Sequence, residues 1–391
     1  MKLLFVGEFA GFAGGIERYM YQAAELMRER GHRIYGLFEM PGKDQNEFCK
    51  VFESTHFLDA LDSVPEDIDI AIIHKIREPE ALSAIMKRFP VISVIHDHEY
   101  YCPRHSLYYP FVHKNCHYTT SRLLCGLCGM TRSCRAGFAE RANDSFIKKP
   151  RVWNLICASS YLVVLSDFMR NLAITNGAPA EKTEIIYPYI KIPAKTERKQ
   201  NRAEAHLLVA GQLIRGKGVD LLLSAVPHIK GNFTVDILGS GEEEENLRHL
   251  SKQLSIDGKV KFHSWANHPE RFFADAALAV LPWRWQEPFG LVGPEALANG
   301  IPLVGFDIGG IREYLIDGST GLLVPYGDIK RLAAAVSQLL ADVELRRQMG
   351  ANGRVYVQAN FGRESFLGNW EYLLQEVKSP GVPAAEFLKW D

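Results

Sequence analysis

Short runs of β-branched and other apolar residues alternate with segments whose apolar residues recur at helical spacing. In the first half of the chain the runs predict strands at Leu3–Val6, Ile34–Phe38, Ile68–Ile73, Val91–Ile95 and Tyr161–Leu165. Between the first two runs, an apolar face at helical spacing is closed by Gly31 as a C-terminal stop, and its members are Ile16, Tyr19, Met20, Ala23, Leu26 and Met27. This alternation predicts a parallel sheet with crossover helices.

The same alternation starts again after a polar segment, Lys191–Arg202, which is typical of a linker. The second set of predicted strands is Leu207–Ala210, Thr234–Leu238, Val260–His263, Leu278–Leu281 and Pro302–Phe306. Helical sequence follows from Asp328. We therefore expect an α/β protein with two Rossmann-like, doubly wound domains that face a cleft, at residues 1–190 and 203–363.

Size and charge narrow the class of protein. The chain has 391 residues and a formal net charge of −1, which permits two domains of ordinary size and argues against nucleic acid as the main partner. The apolar core of Met1–Glu8 is too short for a signal peptide, and we see no apolar run of bilayer length. We expect a cytoplasmic protein.

Two carboxylates stand eight positions apart in Glu287-Pro-Phe-Gly-Leu-Val-Gly-Pro-Glu295. At the loop entrance, Glu287 can hold the hydroxyls of a sugar, and Glu295, in the first turn of the following helix, can accept both hydroxyls of a ribose. Between them, the backbone N–H groups of Gly290, Leu291 and Val292 precede the helix N-terminus and offer a place for a phosphate. A nucleotide-sugar fits this set of groups, and the alternative is a chance pair of acids favoured by the helix macrodipole.

Two glycine-rich segments resemble other nucleotide sites, but neighbouring residues do not fit either site. The segment from Gly211 to Gly218 has the glycine and lysine spacing of a P-loop, but Gly218 replaces the Ser or Thr that ligates magnesium. The segment Gly239-Ser-Gly241 follows a strand as in a dinucleotide fingerprint, but the acids Glu242–Glu245 would repel a pyrophosphate there. A P-loop ATPase and a dehydrogenase are both disfavoured.

The N-terminal half carries two further candidate segments. Gly14-Gly15-Ile16-Glu17 ends a glycine-rich loop and opens a helix, so bare N–H groups near Gly15 can approach a phosphate, although glycines also merely permit tight turns. His96-Asp97 follows the strand Val91–Ile95, at the carboxyl edge where ligands of α/β sheets bind. His74 and His98 are similar strand-end residues.

These motifs together resemble retaining glycosyltransferases of the GT-B fold, in particular glycosyltransferase family 4. The spaced carboxylates resemble the E-x7-E signature, Gly211–Gly218 resembles the element G-R-L-x-x-x-K-G, and His96-Asp97 resembles the His-Asp element whose histidine lies against the donor sugar. In the second motif Lys217 matches the diphosphate-binding lysine, whereas Gln212 stands where an arginine is expected. Arg215, on the same loop, is a candidate to supply the missing charge.

The same resemblance extends over nearly the whole C-terminal domain. Gly309–Glu313 and Asp317–Pro325 look like the loop scaffold of the family's C-terminal domain. In the family the last helix crosses back to the N-terminal domain, so residues 364–391, with a helix at Glu364–Glu376, are expected to do so here.

The resemblance implies a retaining hexosyltransferase that moves a sugar from a nucleotide-diphosphate donor to a glycan or lipid-linked acceptor. It implies His96, Lys217 and Glu287 as catalytic residues, with no metal or other cofactor needed for catalysis. Contacts to the nucleobase are expected around Leu238-Gly239 and His263-Ser264-Trp265. These segments are too generic to select among UDP-, GDP- and ADP-sugars. The alternatives are a GT-B nucleotide-sugar epimerase or hydrolase and a non-catalytic sugar-nucleotide-binding subunit.

A cysteine-rich insertion near residues 100–151 is explained least by the resemblance. Five of the seven cysteines lie there, at Cys102, Cys116, Cys125, Cys128 and Cys134. The Cys125-Gly-Leu-Cys128 knuckle predicts either a structural zinc, with Cys116 and one of Cys102 and Cys134, or unligated thiols in a loop; His105, His113 and His117 are spare ligands.

Basic residues in the insertion outnumber acidic ones, with apolar residues between them. Eight lysines and arginines between Lys114 and Arg151 face only Glu140 and Asp144. Two interpretations stay open: a surface that rests on anionic lipid at the inner face of a membrane, and a solvated, charge-rich insertion.

Overall fold

The computed structural model describes residues 1–109, 114–117, 119–131, 138–194, 204–264 and 270–379. The chain divides into two compact units. The first comprises Met1–His105, Tyr118–Tyr189 and Arg363–Asp391, of which residues up to 379 are described. The second comprises Ser106–His117 and Ile190–Gly362. Ser106–His117 thus belongs to the second unit, whereas the sequence placed the whole insertion in the N-terminal domain; the linker residues 195–203 lie outside the described ranges.

The strands before the linker are β1 (Lys2–Ala10), β2 (Arg33–Pro41), β3 (Thr55–Phe57), β4 (Ile70–Ile73), β5 (Val91–Ile95), β6 (Tyr108–Tyr109), β7 (Lys114–Asn115), β8 (Tyr161–Val164) and β9 (Thr183–Ile185). Those after it are β10 (Ala205–Ala210), β11 (Phe233–Leu238), β12 (Val260–His263), β13 (Ala276–Leu281), β14 (Leu303–Phe306) and β15 (Gly321–Val324).

The helices of the first half are α1 (Gly15–Glu29), α2 (Gln45–Phe48), α3 (Pro79–Arg88), α4 (Arg122–Met130), α5 (Phe138–Asn143), α6 (Lys149–Cys157) and α7 (Asp167–Thr175). Those of the second half are α8 (Val219–Ala225), α9 (Glu244–Gln253), α10 (Glu270–Asp275), α11 (Val292–Ala298), α12 (Ile329–Ala341), α13 (Val343–Phe361) and α14 (Arg363–Lys378). A π-helical turn, Asp144–Lys148, joins α5 to α6. Short 3₁₀ turns occur at Cys49–Val51, Leu58–Ser63, Ala180–Lys182, Arg215–Lys217, Val226–His228 and Gly309–Glu313.

Each unit is built on a parallel sheet whose strand order reverses once. In the first unit the order is β3-β2-β1-β4-β5-β8-β9, and in the second it is β12-β11-β10-β13-β14-β15. All four residues of β4 and all five of β5 are buried, as expected for strands covered on both faces by helices. The predicted two Rossmann-like, doubly wound folds are therefore confirmed.

The expected helix after the first strand is confirmed as α1, which buries Tyr19, Met20, Ala23, Leu26 and Met27. Gly31 follows it with φ +84°, a left-handed backbone that favours glycine and ends the helix. Other helices start at side-chain caps: Ser166 accepts from Met169 N at 3.1 Å, and Asp328 accepts from Arg331 N at 2.9 Å.

The edges of the sheets were harder to predict than their centres. The short strands β3 and β9 have no predicted counterpart, and the prediction of a loop over Asp317–Pro325 is wrong because Gly321–Val324 pairs with β14 as β15. A Cβ atom on Gly321 would lie 2.1 Å from the carbonyl oxygen of Leu303. Glycine therefore permits this edge pairing while carrying none of the β-branched pattern that predicts a strand.

The last helix, α14, belongs to the first unit. It buries Phe366, Leu367, Trp370, Leu373 and Leu374. The Trp370 indole N–H donates to the Tyr19 hydroxyl at 3.3 Å, and Lys378 Nζ donates to Asp69 at 2.8 Å. The C-terminal helix thus completes the packing around α1.

Candidate active site

In the second unit the strand order reverses between β10 and β13. Ligands of open α/β sheets bind outside the carboxyl ends of strands at such a switch point, because the following loops diverge there. The loop after β10 carries Lys217, and the loop after β13 carries Glu287. The fold therefore brings two residues 70 positions apart in sequence to one place.

Lys217 and Glu287 form a largely buried ion pair. Lys217 Nζ donates to Glu287 Oε2 at 2.7 Å, and the two side chains are 18% and 12% exposed. The Trp285 indole N–H donates to the same carboxylate oxygen. The ammonium also lies 5.3 Å from the ring centroid of Trp283 and 5.4 Å from that of Trp285, at cation–π distance. The site thus holds one positive charge in an aromatic, partly dehydrated setting.

Glycines permit the close approach of these two loops. A Cβ atom on Gly216 would lie 2.5 Å from the Trp285 ring, and one on Gly218 would lie 2.0 Å from the Pro282 carbonyl oxygen. Gly218 also has φ +64°. The Gly216 carbonyl accepts from the backbone N–H groups of Arg284 and Trp285 at 2.9 and 3.1 Å. The glycine–lysine motif of the sequence therefore places Lys217 against the second loop.

Arg215, the sequence candidate for the missing phosphate-binding arginine, faces carboxylates. Its Nη1 lies 3.2 Å from Asp220 Oδ2 and 3.7 Å from Glu243 Oε2, and its side chain is 39% exposed. Gln212 is exposed at the position where the arginine was expected. In this structure the Arg215 charge is compensated by side chains of its own unit.

The second predicted carboxylate lies in the first turn of α11. Glu295 is half-buried there, as are Leu291 and Val292 at the helix start. Gly290 has φ +82°, and a Cβ atom on it would lie 2.1 Å from the Trp283 ring. The Tyr314 hydroxyl donates to the Phe289 carbonyl at 2.9 Å and fixes the loop between the two acids.

The predicted base-binding segment lies at the ends of β11 and β12. Gly239 has φ +156°, and a Cβ atom on it would lie 1.9 Å from the Gly211 carbonyl oxygen. Gly239 N donates to the His263 carbonyl at 2.9 Å, which ties this segment to β12. Trp265 lies outside the described residues.

In the first unit the strand order reverses between β1 and β4. Gly14 and Gly15 open α1 after β1, and both are exposed. A Cβ atom on Gly15 would meet no other atom within 4 Å, so the backbone here is open to a ligand. Glu17 in the first turn is buried, and burial raises the pKa of its carboxyl group.

His96 contacts a second histidine that follows β4. His74 Nδ1 and His96 Nε2 lie 3.0 Å apart, so one ring donates to the other. Burial, together with the charge of Lys75, lowers the pKa of His96 to about 3, and burial beside His96 lowers the pKa of His74. Both rings are therefore neutral near pH 7. His98 instead contacts the Tyr101 hydroxyl at 2.9 Å and is buried.

A charged network at the same edge was not predicted from the sequence. Lys75 Nζ lies 2.7 Å from Glu99 Oε2 and 3.3 Å from Glu8 Oε2, and Arg77 contacts the same two carboxylates at 3.4 and 2.9 Å. Burial alone would raise the pKa of Glu99, but His105, Lys75 and Lys149 lower it to about 2. Lys75, Arg77, Glu99 and His105 also line a cavity of about 330 Å³. Glu8 lies near the end of β1, and Lys75, Arg77 and Glu99 follow β4 or β5 within about four residues, whereas His105 and Lys149 lie away from strand ends. Position at a strand end is the signal that could have identified the first four.

The cysteines of the insertion do not come together as a metal site within the described part of the chain, where no three potential ligands are grouped to hold a metal ion. Cys125 Sγ accepts from Ser121 N at 3.3 Å, Cys128 Sγ accepts from Arg104 Nε at 3.1 Å, and Cys102 is buried. Cys134 and His113 lie outside the described residues. The structural zinc stays a prediction, which elemental analysis of protein purified without chelator would test.

Two family descriptions match adjoining parts of the chain. "Glycosyltransferase Family 4" matches residues 13–192, and "Glycosyl transferases group 1" matches residues 193–356. The chain belongs to the group 1, family 4 type of glycosyltransferases. The two matches meet within the predicted linker.

Among curated relatives of this family 4 chain, similarity covers only part of each protein. A lipopolysaccharide core biosynthesis glycosyltransferase, LpsE, from Rhizobium meliloti is 32% identical over 164 residues, which is 42% of this chain and 48% of LpsE. Glycogen synthase from Mycobacterium tuberculosis is 32% identical over 169 residues, 42% of this chain and 41% of the synthase. The chain thus spans about half the length, or less, of these relatives.

Similarity to two solved structures extends over 96% and 81% of the chain. HepE from Anabaena, in complex with UDP, has a TM-score of 0.76 and 18% identity, with 96% of this chain and 100% of HepE covered. A mutant of TarM from S. aureus, in complex with Fondaparinux, alpha-GlcNAc-glycerol and UDP, has a TM-score of 0.62 and 18% identity, with 81% of this chain and 58% of TarM covered. These similarities confirm the GT-B fold.

Proposed function

We propose that the chain is a retaining hexosyltransferase that moves a sugar from a nucleotide-diphosphate donor to a glycan or lipid-linked acceptor. The observation that carries this proposal is the Lys217–Glu287 pair at the switch point of the second sheet. It combines a cation for a diphosphate with a carboxylate for sugar hydroxyls. Family membership and the UDP complexes of HepE and TarM support a nucleotide-sugar donor.

In the proposed reaction, the bond between the anomeric carbon and the diphosphate oxygen breaks, and its electron pair leaves with the nucleoside diphosphate. The acceptor hydroxyl oxygen bonds to the same face of the anomeric carbon, and its proton passes to the departing phosphate oxygen. Lys217 stabilises the negative charge that develops on the diphosphate, and electrostatic stabilisation of this kind is often the largest catalytic contribution. This assignment requires no metal ion, so we expect activity to persist in a chelator.

The remaining donor contacts follow from the two loops. We assign the ribose hydroxyls to Glu295 and the diphosphate to the backbone N–H groups of Gly290, Leu291 and Val292. We assign the nucleobase to the segment around Gly239 and His263. Glu287 would orient the donor sugar, and His96 of the first unit is the further catalytic residue that the family resemblance implies.

The decisive experiment is an assay of nucleotide release from UDP-, GDP- and ADP-sugars, with and without glycan acceptors. Release that depends on an acceptor supports a transferase, and NMR of the product then shows whether the anomeric configuration is retained. Release without any acceptor indicates a hydrolase. Formation of an isomerised nucleotide-sugar indicates an epimerase, and binding without turnover indicates a non-catalytic subunit. A thermal-shift screen selects the donor first, because a ligand at 100 times its dissociation constant adds about 2.7 kcal/mol of stability.

We further propose that the insertion rests on an anionic membrane surface. Leu123, Leu124 and Leu127 on α4 and Ile147 in the π-helical turn are 64%, 64%, 53% and 57% exposed. Several exposed large apolar residues in one segment are unusual on a soluble surface, and in an insertion whose sequence is rich in lysine and arginine they favour contact with anionic lipid headgroups above an apolar layer. No described helix has the length and apolar character needed to span a bilayer.

Sedimentation with vesicles tests this contact. Wild-type protein should bind vesicles that contain phosphatidylglycerol, and less so at high salt, whereas Leu123→Glu with Leu127→Glu should lose binding. Val355 is 69% exposed in the second unit, so Val355→Glu is the matched control and should bind like wild type. Equal binding by the double variant would reject the contact.

A further inference from the structure

The hairpin of β6 and β7 belongs structurally to the donor-side unit, although it lies in the N-terminal half of the chain. Tyr108 pairs with Asn115 and Tyr109 with Lys114 in an antiparallel ladder, and Cys116 N donates to the Leu107 carbonyl at 2.6 Å. Leu107 and Tyr108 are only 5% and 4% exposed. The hairpin, Ser106–His117 without the undescribed residues 110–113, is therefore an anchored part of the second unit.

Three side-chain hydrogen bonds attach this hairpin to the loop that carries Glu287. Asn115 Nδ2 donates to the Arg284 carbonyl at 3.0 Å. Gln286 Nε2 donates to the Cys116 carbonyl at 2.8 Å and to the Leu107 carbonyl at 3.3 Å. Gln286 itself is 7% exposed, so its amide donates within the protein interior. The hairpin thus holds the loop on both sides of Trp285.

The opposite side of the loop is also fixed. Gly310 N donates to the Glu287 carbonyl at 2.8 Å, and a Cβ atom on Gly309 would lie 2.4 Å from that oxygen. Glu287 N donates back to the Trp285 carbonyl at 2.9 Å. The Glu287 backbone therefore lies between the 309–310 turn on one side and the Gln286 contact on the other.

We propose that Gln286 is a positioning residue for Glu287, and that the hairpin holds the carboxylate in register with Lys217 and Trp285. Because this inference assigns a role to Glu287, it rests on the proposed glycosyltransferase function. A buried amide that donates to two carbonyls resists displacement, since its loss removes the donor of the Cys116 carbonyl and the second donor of the Leu107 carbonyl. Its neighbour Glu287 is then held in one orientation for a donor sugar.

Gln286→Met tests this role because it keeps the length and volume of the side chain but removes both donors. We expect kcat for sugar transfer to fall about 10- to 100-fold, the scale of a small misplacement of a reacting group. The Kd for the free nucleoside diphosphate should change little, because Glu287 is assigned to the sugar and not to the nucleotide. Asn115→Leu, at the other attachment point, should change kcat in the same direction. Gln338→Met on the exposed face of α12 is the matched control and should behave like wild type.

Stability and fluorescence separate positioning from folding. Melting temperatures and nucleotide calorimetry report whether the unit stays intact. Acrylamide quenching of Trp285 fluorescence should increase in Gln286→Met. The Trp285 signal is obtained by subtracting the fluorescence of a Trp285→Phe variant, made both in wild type and in Gln286→Met. This readout does not need turnover, so it still tests the hairpin if the wild-type protein transfers no sugar, an outcome that would reject the proposed function alone.

Unchanged kcat in a folded Gln286→Met variant would overturn the proposal. So would equal losses of kcat and of nucleoside diphosphate affinity, because they would show general support of the unit. If Gln286→Met does not fold, an unchanged kcat in folded Asn115→Leu would overturn it as well.

Discussion

The lysines at the switch points of the two sheets are paired with carboxylates in different ways. In the second unit Lys217 contacts one carboxylate, Glu287, between two indole rings. In the first unit Lys75 and Arg77 both contact Glu8 and Glu99, which are themselves buried. A cation held by a single carboxylate can exchange part of that contact for a ligand phosphate, whereas cations in a shared network are needed to keep buried acids ionised. The comparison therefore indicates that Lys217 is suited to bind a ligand, whereas Lys75 is suited to stabilise the fold.

The strongest test of this contrast is Lys217→Ala. We expect turnover to fall about 100- to 1,000-fold, the scale of removing one preorganised electrostatic group, in a variant that still folds. Initial rates at saturating donor measure turnover, and thermal melts show whether the variant folds. Lys252→Ala, at an exposed site on α9, is the control. Near-wild-type turnover in the folded variant would contradict the assignment of Lys217 to the diphosphate.

Lys75→Met tests the charged network of the first unit through the stability of the fold. Removing the Lys75 ammonium leaves the buried carboxylates of Glu8 and Glu99 with less positive charge beside them. Arg77 still contacts both carboxylates and compensates part of their negative charge. We therefore expect a loss of about 2 kcal/mol in the free energy of unfolding, less than the 3–5 kcal/mol typical of a fully broken buried pair. Urea unfolding measures this loss. A variant as stable as wild type would mean that the network is not structural.

The carboxylates of the second unit sharpen the comparison further. Glu287→Gln removes the charge that competes for Lys217, so we expect unchanged or tighter nucleoside diphosphate binding together with slower sugar transfer. Glu295→Ala should weaken nucleoside diphosphate binding about tenfold, as expected for a lost charge-assisted hydrogen bond of roughly 1.5 kcal/mol. Calorimetry with the free nucleoside diphosphate distinguishes the two. Equal losses of affinity in both variants would contradict the division of roles.

The paired histidines predict a pH dependence of the first unit. A histidine whose folded-state pKa is lowered stabilises the fold above its unfolded pKa near 6.5, and this contribution is lost as the pH falls below that value. One such group loses about 1.4 kcal/mol at one pH unit below 6.5. We expect His74→Gln to lose less stability than wild type between pH 7.5 and 5.5. His249→Gln, at an exposed site, should follow wild type; a His74→Gln slope equal to that of wild type would exclude the neutral pair as its cause.

The sequence predicts what is periodic or carries a motif. The central strands and α1 follow from apolar spacing, and the convergence of Lys217 with Glu287 follows from two motifs at neighbouring strand ends. By contrast, β15 begins with a glycine and forms a short edge, so its local pattern does not predict a strand. The contact between Gln286 and Cys116 joins positions 170 residues apart and has no local signature at either end. Such contacts depend on tertiary packing, which apolar periodicity does not encode.

The path of the chain has a consequence for recombination between members of the family. It passes between the two units at four points, after His105, His117, Tyr189 and Gly362. A single crossover at the linker would therefore inherit the hairpin from one parent and the Glu287 loop that it contacts from the other. We expect functional chimeras when the residues at positions 115 and 286 of the two parents are compatible. The hairpin therefore limits which N-terminal and C-terminal halves can be exchanged.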